Sequence, residues 1–179
     1  MKEEIYISVD IEAAGPIPGE YSMLSIGACA VGHTDESFYV ELKPINSNAV
    51  PEAMAVSKLD LEALAKDGKN PAEAMAELNT WLHDVAEGRA PIFVGFNASF
   101  DWAFVNWYFH TFLGQNPFGF GALDIKAYYM GLVGCTWDQT RSSQLPSEFR
   151  SMRQQTHNAL EDARAQADIF EKLLAAKRS

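Results

Sequence analysis

Residues 5–12 read IYISVDIE, a regular alternation of aliphatic and polar side chains. Side chains of a β-strand point alternately to its two faces, so this period of two predicts a strand. Asp10 and Glu12 then share one face at the carboxyl end of that strand. Two carboxylates so close repel each other, and a divalent cation with oxygen ligands would relieve the repulsion. Taken alone, the segment also fits an exposed strand end with two solvated acids.

Small residues follow the two acids directly, because residues 13–15 read AAG. Such residues let a ligand approach the backbone closely, and the backbone N–H groups could hold it. We therefore expect Ala13 and Ala14 to contact a bound substrate, which favours a functional role for Asp10 and Glu12.

A second acidic position closes the segment IFVGFNASFD at residues 92–101. The pattern predicts a buried strand, a short polar turn and then an aromatic-rich helix capped by Ser99 or Asn97. Asp101 then lies in the first helical turn, where the helix dipole favours any acid, and an ordinary helix-start carboxylate is the alternative. Ligands of open α/β sheets bind beyond the carboxyl ends of the strands, where Asp101 joins Asp10. Asn97, in the turn, is a candidate substrate contact.

A histidine and a third acidic position occur in THNALEDA at residues 156–163. Asn158 followed by Glu161 is typical of a capping box, which predicts a helix from Asn158. His157 then precedes the helix while Asp162 sits in its first turn, so the two side chains can converge. An imidazole can take a proton from water at neutral pH. The alternative is a surface histidine beside a helix cap.

Three motifs in this order resemble those of the DEDDh 3′–5′ exonucleases of the DnaQ-like family. They are DIE at residues 10–12, NASFD at residues 97–101 and HNALED at residues 157–162. The resemblance covers nearly the whole chain. It implies a ribonuclease H-like three-layer α/β fold, in which a mixed five-stranded sheet carries helices on both faces.

The same resemblance implies a metal-dependent 3′–5′ exonuclease that releases nucleoside 5′-monophosphates by a two-metal mechanism. Asp10 is expected to bridge two divalent ions, Mg²⁺ or Mn²⁺. Glu12 and Asp162 are expected to help hold the first ion, and Asp101 to support the second. His157 is expected to act as the general base on the attacking water.

The predicted helix at about 99–113 is apolar nearly all round, which favours core packing for most of its aromatic rings. Trp102, next to Asp101, is the ring that we select as a candidate for base stacking. The polar segment 131–156 leads into His157, and a solvated loop and a phosphate-guiding loop are both open. Its arginines are Arg141, Arg150 and Arg153.

Composition predicts a single domain over residues 1–179, with 47% hydrophobic residues to form a core. No apolar run approaches membrane-spanning length, and the first residues, MKEE, do not resemble a signal peptide. Two cysteines indicate neither a disulfide framework nor a metal site. We therefore expect a cytoplasmic protein that does not enter a membrane; family members are often dimers, so a homodimer is possible.

The formal net charge is −10, which is unusual for a protein that tracks long nucleic acid. The charge favours a substrate that is single-stranded or short, with DNA and RNA both open. Two further interpretations compete with an exonuclease: a non-catalytic nucleic-acid or protein-binding module on the same fold, and another metal hydrolase such as an endonuclease.

Overall fold

A computed structural model describes residues 3–153 and 156–177 of the chain. Its centre is a five-stranded sheet in the order β3-β2-β1-β4-β5. The first three strands form an antiparallel meander, whereas β4 and β5 run parallel to β1. The predicted mixed sheet is confirmed. The strands are β1 Glu4–Ala13, β2 Met23–Ala30, β3 His33–Glu41, β4 Ala90–Gly95 and β5 Ala122–Asp124.

Six helices and three short 3₁₀ turns make up the other described regular structure. The 3₁₀ turns are Trp137–Thr140, Ser142–Gln144 and Ser147–Phe149. The helices are α1 Pro51–Ser57, α2 Leu61–Asp67, α3 Pro71–Ala86, α4 Ser99–Leu113, α5 Ile125–Val133 and α6 Ala159–Lys177. Among the described helices, none combines the length and apolar character needed to cross a membrane.

The sheet is covered by helices on both faces, so the alternation in β1 does not mark a solvent-exposed side. The odd-numbered aliphatic side chains of β1 pack with α3 and α4 in the largest core cluster. The even-numbered side faces α6: the Tyr6 ring meets Phe170 edge-on at 5.3 Å between centroids. The buried Ser8 hydroxyl donates to the carbonyl of Ala163 at 2.8 Å. The polar face of β1 is therefore an interior face with hydrogen-bonded polar groups.

Small side chains let α6 lie directly on β1 and β2. Gly27 pairs with Asp10 in the β1–β2 ladder. A Cβ atom on Gly27 would lie 2.3 Å from the backbone nitrogen of Leu160, in the first turn of α6. Because glycine allows this contact, the start of α6 lies beside the strand position opposite Asp10.

Replacing Gly27 by alanine is expected to push the start of α6 away from the sheet. Overpacking of this kind costs about 1–3 kcal/mol of unfolding free energy, and misplacing side chains by about 1 Å can lower a catalytic rate about 10²-fold. Denaturant unfolding of Gly27→Ala measures the first effect, and an assay of the nuclease activity that the family resemblance implies measures the second. The matched control is Gly131→Ala in α5, where nothing lies within 4 Å of the added Cβ. Equal stability and activity in both variants would contradict this packing account.

Candidate active site

The sheet forks between β1 and β4, and Asp101 is held in the fork. Pairing of these strands ends at Ser8 with Val94. Farther along β1, the N–H of Ile11 donates to Oδ1 of Asp101 at 3.1 Å. Asp101 lies in the first turn of α4, as predicted. The hydrogen bond ties this helix start to the strand that carries Asp10 and Glu12.

The N-cap predicted for α4 is wrong. Ala98, not Ser99 or Asn97, occupies the N-cap position and has no side-chain cap of its own. Its N–H donates to Oδ2 of Asp124 at 2.7 Å, while Oδ1 of Asp124 caps α5 through Ala127 at 2.8 Å. A carboxylate from the neighbouring strand therefore serves two helix starts. Asn97 takes a left-handed conformation with φ 70° and is exposed at the turn.

The start of α6 follows the prediction in its main feature. Oδ1 of Asn158 accepts from the N–H groups of Leu160 and Glu161, both at 3.2 Å, so Asn158 is the cap. Glu161 does not complete a capping box, since its carboxylate pairs with Arg164 at 2.7 Å. His157 lies outside the helix with φ 55° and an exposed side chain.

Asp162 shapes the loop that carries His157. Its carboxylate is buried, and its two oxygens accept from the N–H groups of Thr156 at 3.0 Å and His157 at 3.1 Å. Three possible ligand atoms lie within 4.8 Å of one another, one from each of Glu12, His157 and Asp162. Side chains from the end of β1 and the start of α6 thus converge on one point.

Burial, and after it repulsion between charges, raises the pKa values of Asp10, Glu12 and Asp101. For Asp10 the pKa lies well above the ordinary 3.8, first through burial and then through the charges of Asp101, Asp162 and Glu12. Burial, followed by the charge of Asp162, raises the pKa of Glu12 to about 7. Burial likewise raises the pKa of Asp101 to about 7, against the lowering effect of the Ile11 hydrogen bond. Without a cation, the folded chain therefore disfavours the charged forms of these groups.

Gln166, on α6, is a site residue that sequence reasoning missed. Its Nε2 donates to Oδ1 of Asp10 at 2.6 Å, and its Oε1 accepts from the N–H of Phe96, just after β4, at 2.8 Å. The side chain is buried and spans the fork from strand to strand. The available signal was its spacing of four from Asp162, which places both on one face of a helix.

The residues that we expected to contact the substrate are buried or partly buried in the structure, apart from Asn97. Ala13 and Ala14 are buried. The N–H of Ala14 donates to the carbonyl of Ser22 at 2.9 Å. We expected this amide to hold a ligand, but the hydrogen bond already occupies it. Trp102 is partly buried and packs edge-on against Phe93 at 5.3 Å between centroids.

The arginines of the loop before α6 bind the protein itself. Arg150 donates to the carbonyls of Leu145 at 2.6 Å and Ser143 at 2.9 Å. Arg153 pairs with Asp168 at 3.2 Å, and Arg141 pairs with Asp138. These contacts count against a phosphate-guiding loop, which is one of the two interpretations open from the sequence. Arg150 and Arg153 nevertheless line a cleft of about 300 Å³ that reaches Asp162 and Gln166.

Solved 3′-exonucleases share this fold. A full-length 3′-exonuclease superposes with a TM-score of 0.76 at 13% identity, over 99% of this chain and 84% of that one. The nuclease domain of 3′hExo, a DEDDh family member bound to rAMP, gives 0.73 at 12% identity, over 96% of this chain and 92% of that one. The expected ribonuclease H-like fold is confirmed.

The family follows from sequence. The sequence model of one protein family, described as the 3′-5′ exoribonuclease Rv2179c-like domain, matches residues 5–174. The chain belongs to that family. The 3′-5′ DNA exonuclease Cap18 of Escherichia coli is 49% identical over 169 residues, which is 94% of this chain and 90% of that protein. The chain is accordingly a 3′–5′ exonuclease, a hydrolase of phosphodiester bonds.

The raised pKa values predict how stability depends on pH. Glu12 and Asp101 shift upward from 4.5 and 3.8 to about 7. Between the ordinary and the raised values the native protein binds more protons than the unfolded chain, so metal-free stability falls as pH rises through this window. Mg²⁺ should therefore raise Tm more near pH 8 than near pH 5.

Thermal unfolding with Mg²⁺ or EDTA at both pH values measures this effect. Asp10→Asn removes one of the crowded charges, so it should raise Tm in EDTA near pH 8 and shrink the gain from Mg²⁺. Equal gains at both pH values in the wild-type protein would contradict the link between the cluster and a cation.

The contacts of Gln166 predict a positioning role for its amide. Gln166→Met keeps the approximate volume but leaves Oδ1 of Asp10 and the N–H of Phe96 without this partner. Partners that orient metal ligands are worth about 10- to 100-fold in metal affinity or activity. The Mg²⁺ concentration for half-maximal rate should rise by that factor, and Glu171→Gln, exposed on the same helix, should leave it unchanged. An unchanged Mg²⁺ requirement in Gln166→Met would rule out the role.

Proposed function

We propose that this exonuclease removes nucleoside 5′-monophosphates one at a time from the 3′ end of an unpaired strand. The observation that carries the proposal is the convergence of the Asp10 and Glu12 end of β1 with the His157 and Asp162 start of α6. Asp101 joins them through Ile11. Membership of a 3′-5′ exonuclease family supports the assignment.

The donor set fits two divalent cations, Mg²⁺ or Mn²⁺. Carboxylate oxygens are the ligands that such hard cations prefer, and a cation would relieve the burial and repulsion that raise the pKa values of Asp10 and Glu12. Asp10, Glu12, Asp101 and Asp162 would hold the ions. When bound, the ions would stabilise negative charge on the scissile phosphate and on the departing 3′ oxygen.

His157 supplies the base. Its exposed ring can meet a water molecule, and the backbone bond from His157 to Asp162 keeps it beside the cluster. The ring nitrogen accepts a proton as the water oxygen bonds to phosphorus. The bond between phosphorus and the 3′ oxygen of the preceding nucleotide breaks, and this oxygen takes up a proton from the solvent. The products are a nucleoside 5′-monophosphate and a strand with a new 3′-hydroxyl.

Both DNA and RNA have support as the substrate strand. We infer unpaired DNA first, because the 49% identical relative is a DNA exonuclease. RNA is the second candidate, because the matching family is described as exoribonuclease. The net charge of −10 favours few phosphate contacts beyond the terminal nucleotides in either case.

Cleavage of matched 5′-labelled single-stranded DNA and RNA tests the proposal. Wild type and Asp10→Ala are each assayed with Mg²⁺, Mn²⁺ or EDTA. Stepwise shortening from the 3′ end should require both the metal and Asp10, and the faster strand identifies the sugar class. Internal cuts would indicate an endonuclease, and binding without any cleavage would indicate a non-catalytic module.

His157→Ala is expected to lower kcat by about 10²- to 10⁴-fold, the usual worth of a general base. The matched control is His110→Ala, since His110 is exposed in the last turn of α4 and should not affect turnover. Single-turnover kinetics at saturating Mg²⁺ separate this chemical step from binding. Wild-type turnover in His157→Ala would exclude the residue as base.

A further inference from the structure

Beside the candidate active site lies a second cavity, of about 340 Å³, that the hydrolysis itself does not use. Two indole rings contribute to its wall, Trp102 from α4 and Trp137 from the 3₁₀ turn after α5. Its remaining lining residues come from the turn before α4, from the first residue of α4, from β5 and from α5: Asn97, Ala98, Ser99, Ala122, Asp124 and Ala127. The cavity therefore adjoins the same helix start that carries Asp101.

Trp137 is a large aromatic side chain that remains 50% exposed. The turn that carries it is nevertheless well fixed. The side chain of Gln139 accepts from the N–H of Thr136 at 2.9 Å, and the buried Thr140 hydroxyl donates to the carbonyl of Trp137 at 2.7 Å. An exposed ring on a fixed turn is prearranged for a ligand, because little freedom is lost when the ligand stacks on it.

A positive charge accompanies the ring. The ammonium group of Lys126 lies over Trp137, 4.0 Å from the ring centroid. The acidic member of the wall, Asp124, already accepts from two backbone N–H groups at the starts of α4 and α5. Aromatic faces next to a lysine are the combination that binds single strands, by stacking bases and attracting the backbone.

We propose that this cavity binds an unpaired nucleobase of the substrate strand, stacked on Trp137, with Lys126 near an adjoining phosphate. The proposal rests on the proposed function and names a contact for the strand beyond the hydrolysed bond. Stacking on an indole accepts any base but requires that the base be unpaired. The cavity therefore selects single-stranded ends without reading their sequence.

A scan with abasic substrates tests the proposal on the intact protein. Oligonucleotides carry one abasic site at successive positions from the 3′ end, and KM is measured for wild type and Trp137→Ala. On intact strands Trp137→Ala should raise KM by about 5- to 150-fold, the usual worth of base stacking. At one position the abasic site should raise KM for wild type but not for Trp137→Ala, since both changes remove the same contact.

Two further variants control for indirect effects. Trp137→Phe keeps an aromatic face and should recover most of the loss. Phe120→Ala removes a ring that is 98% exposed in the loop before β5 and should leave KM unchanged. We test Trp137 rather than Trp102 because Trp102 also packs against Phe93.

The possible failures are distinguishable. An abasic penalty that is equal in wild type and Trp137→Ala at every position overturns the proposal, as does an unchanged KM in Trp137→Ala. The latter result would leave the ring free for a protein partner. If wild type shortens strands normally in these cases, only the cavity assignment fails. If wild type neither binds nor shortens any strand, the proposed function fails together with it.

Discussion

Burial and mutual repulsion of the carboxylates at the fork between β1 and β4 form the constraint on which the other parts of the site depend. Each acid is held by donors from a different part of the chain. Asp10 accepts from Gln166, Asp101 from the N–H of Ile11, and Asp162 from the loop before α6. These donors fix the positions of the oxygens, but for Asp10 and Asp101 they do not offset burial, since the pKa values of these two groups remain raised. The cluster thus brings several carboxylates close together, and a bound cation would balance their negative charge.

Close packing of α6 makes that arrangement possible. The helix crosses β1 and β2 on small side chains, with Ala163 and Ala167 against Cys29 and the Leu160 backbone against Gly27. Gly27 pairs with Asp10 in the β1–β2 ladder, so the first turn of α6, which contacts Gly27, places Asp162 near the carboxylates of β1. His157 follows, since its backbone N–H is bonded to Asp162. The position of His157 is thus a consequence of helix–sheet packing.

Local patterns in the sequence predicted those features that depend on neighbouring residues. The period of two in β1 and the cap at Asn158 are of this kind, and both are confirmed. The N-cap predicted for α4 was wrong. The N–H of Ala98, at the start of that helix, donates instead to the carboxylate of Asp124, which is 26 residues away. Gln166 was missed because its partner Asp10 is 156 residues distant. The spacing of four from Asp162 places Gln166 on the same helix face, but it does not identify Asp10 as the partner, because contacts between distant segments require the packed structure.

Isothermal calorimetry of Mg²⁺ binding near pH 6.5 tests whether the carboxylate cluster is a cation site. Glu12 and Asp101, with pKa values of about 7, should be largely protonated there in the metal-free protein. If the cluster is a cation site, Mg²⁺ must displace those protons, so the binding heat should vary with the ionisation enthalpy of the buffer. Asp10→Asn should weaken binding and reduce the proton release. Binding that releases no protons and is unaffected by Asp10→Asn, or no binding at all, would contradict the account.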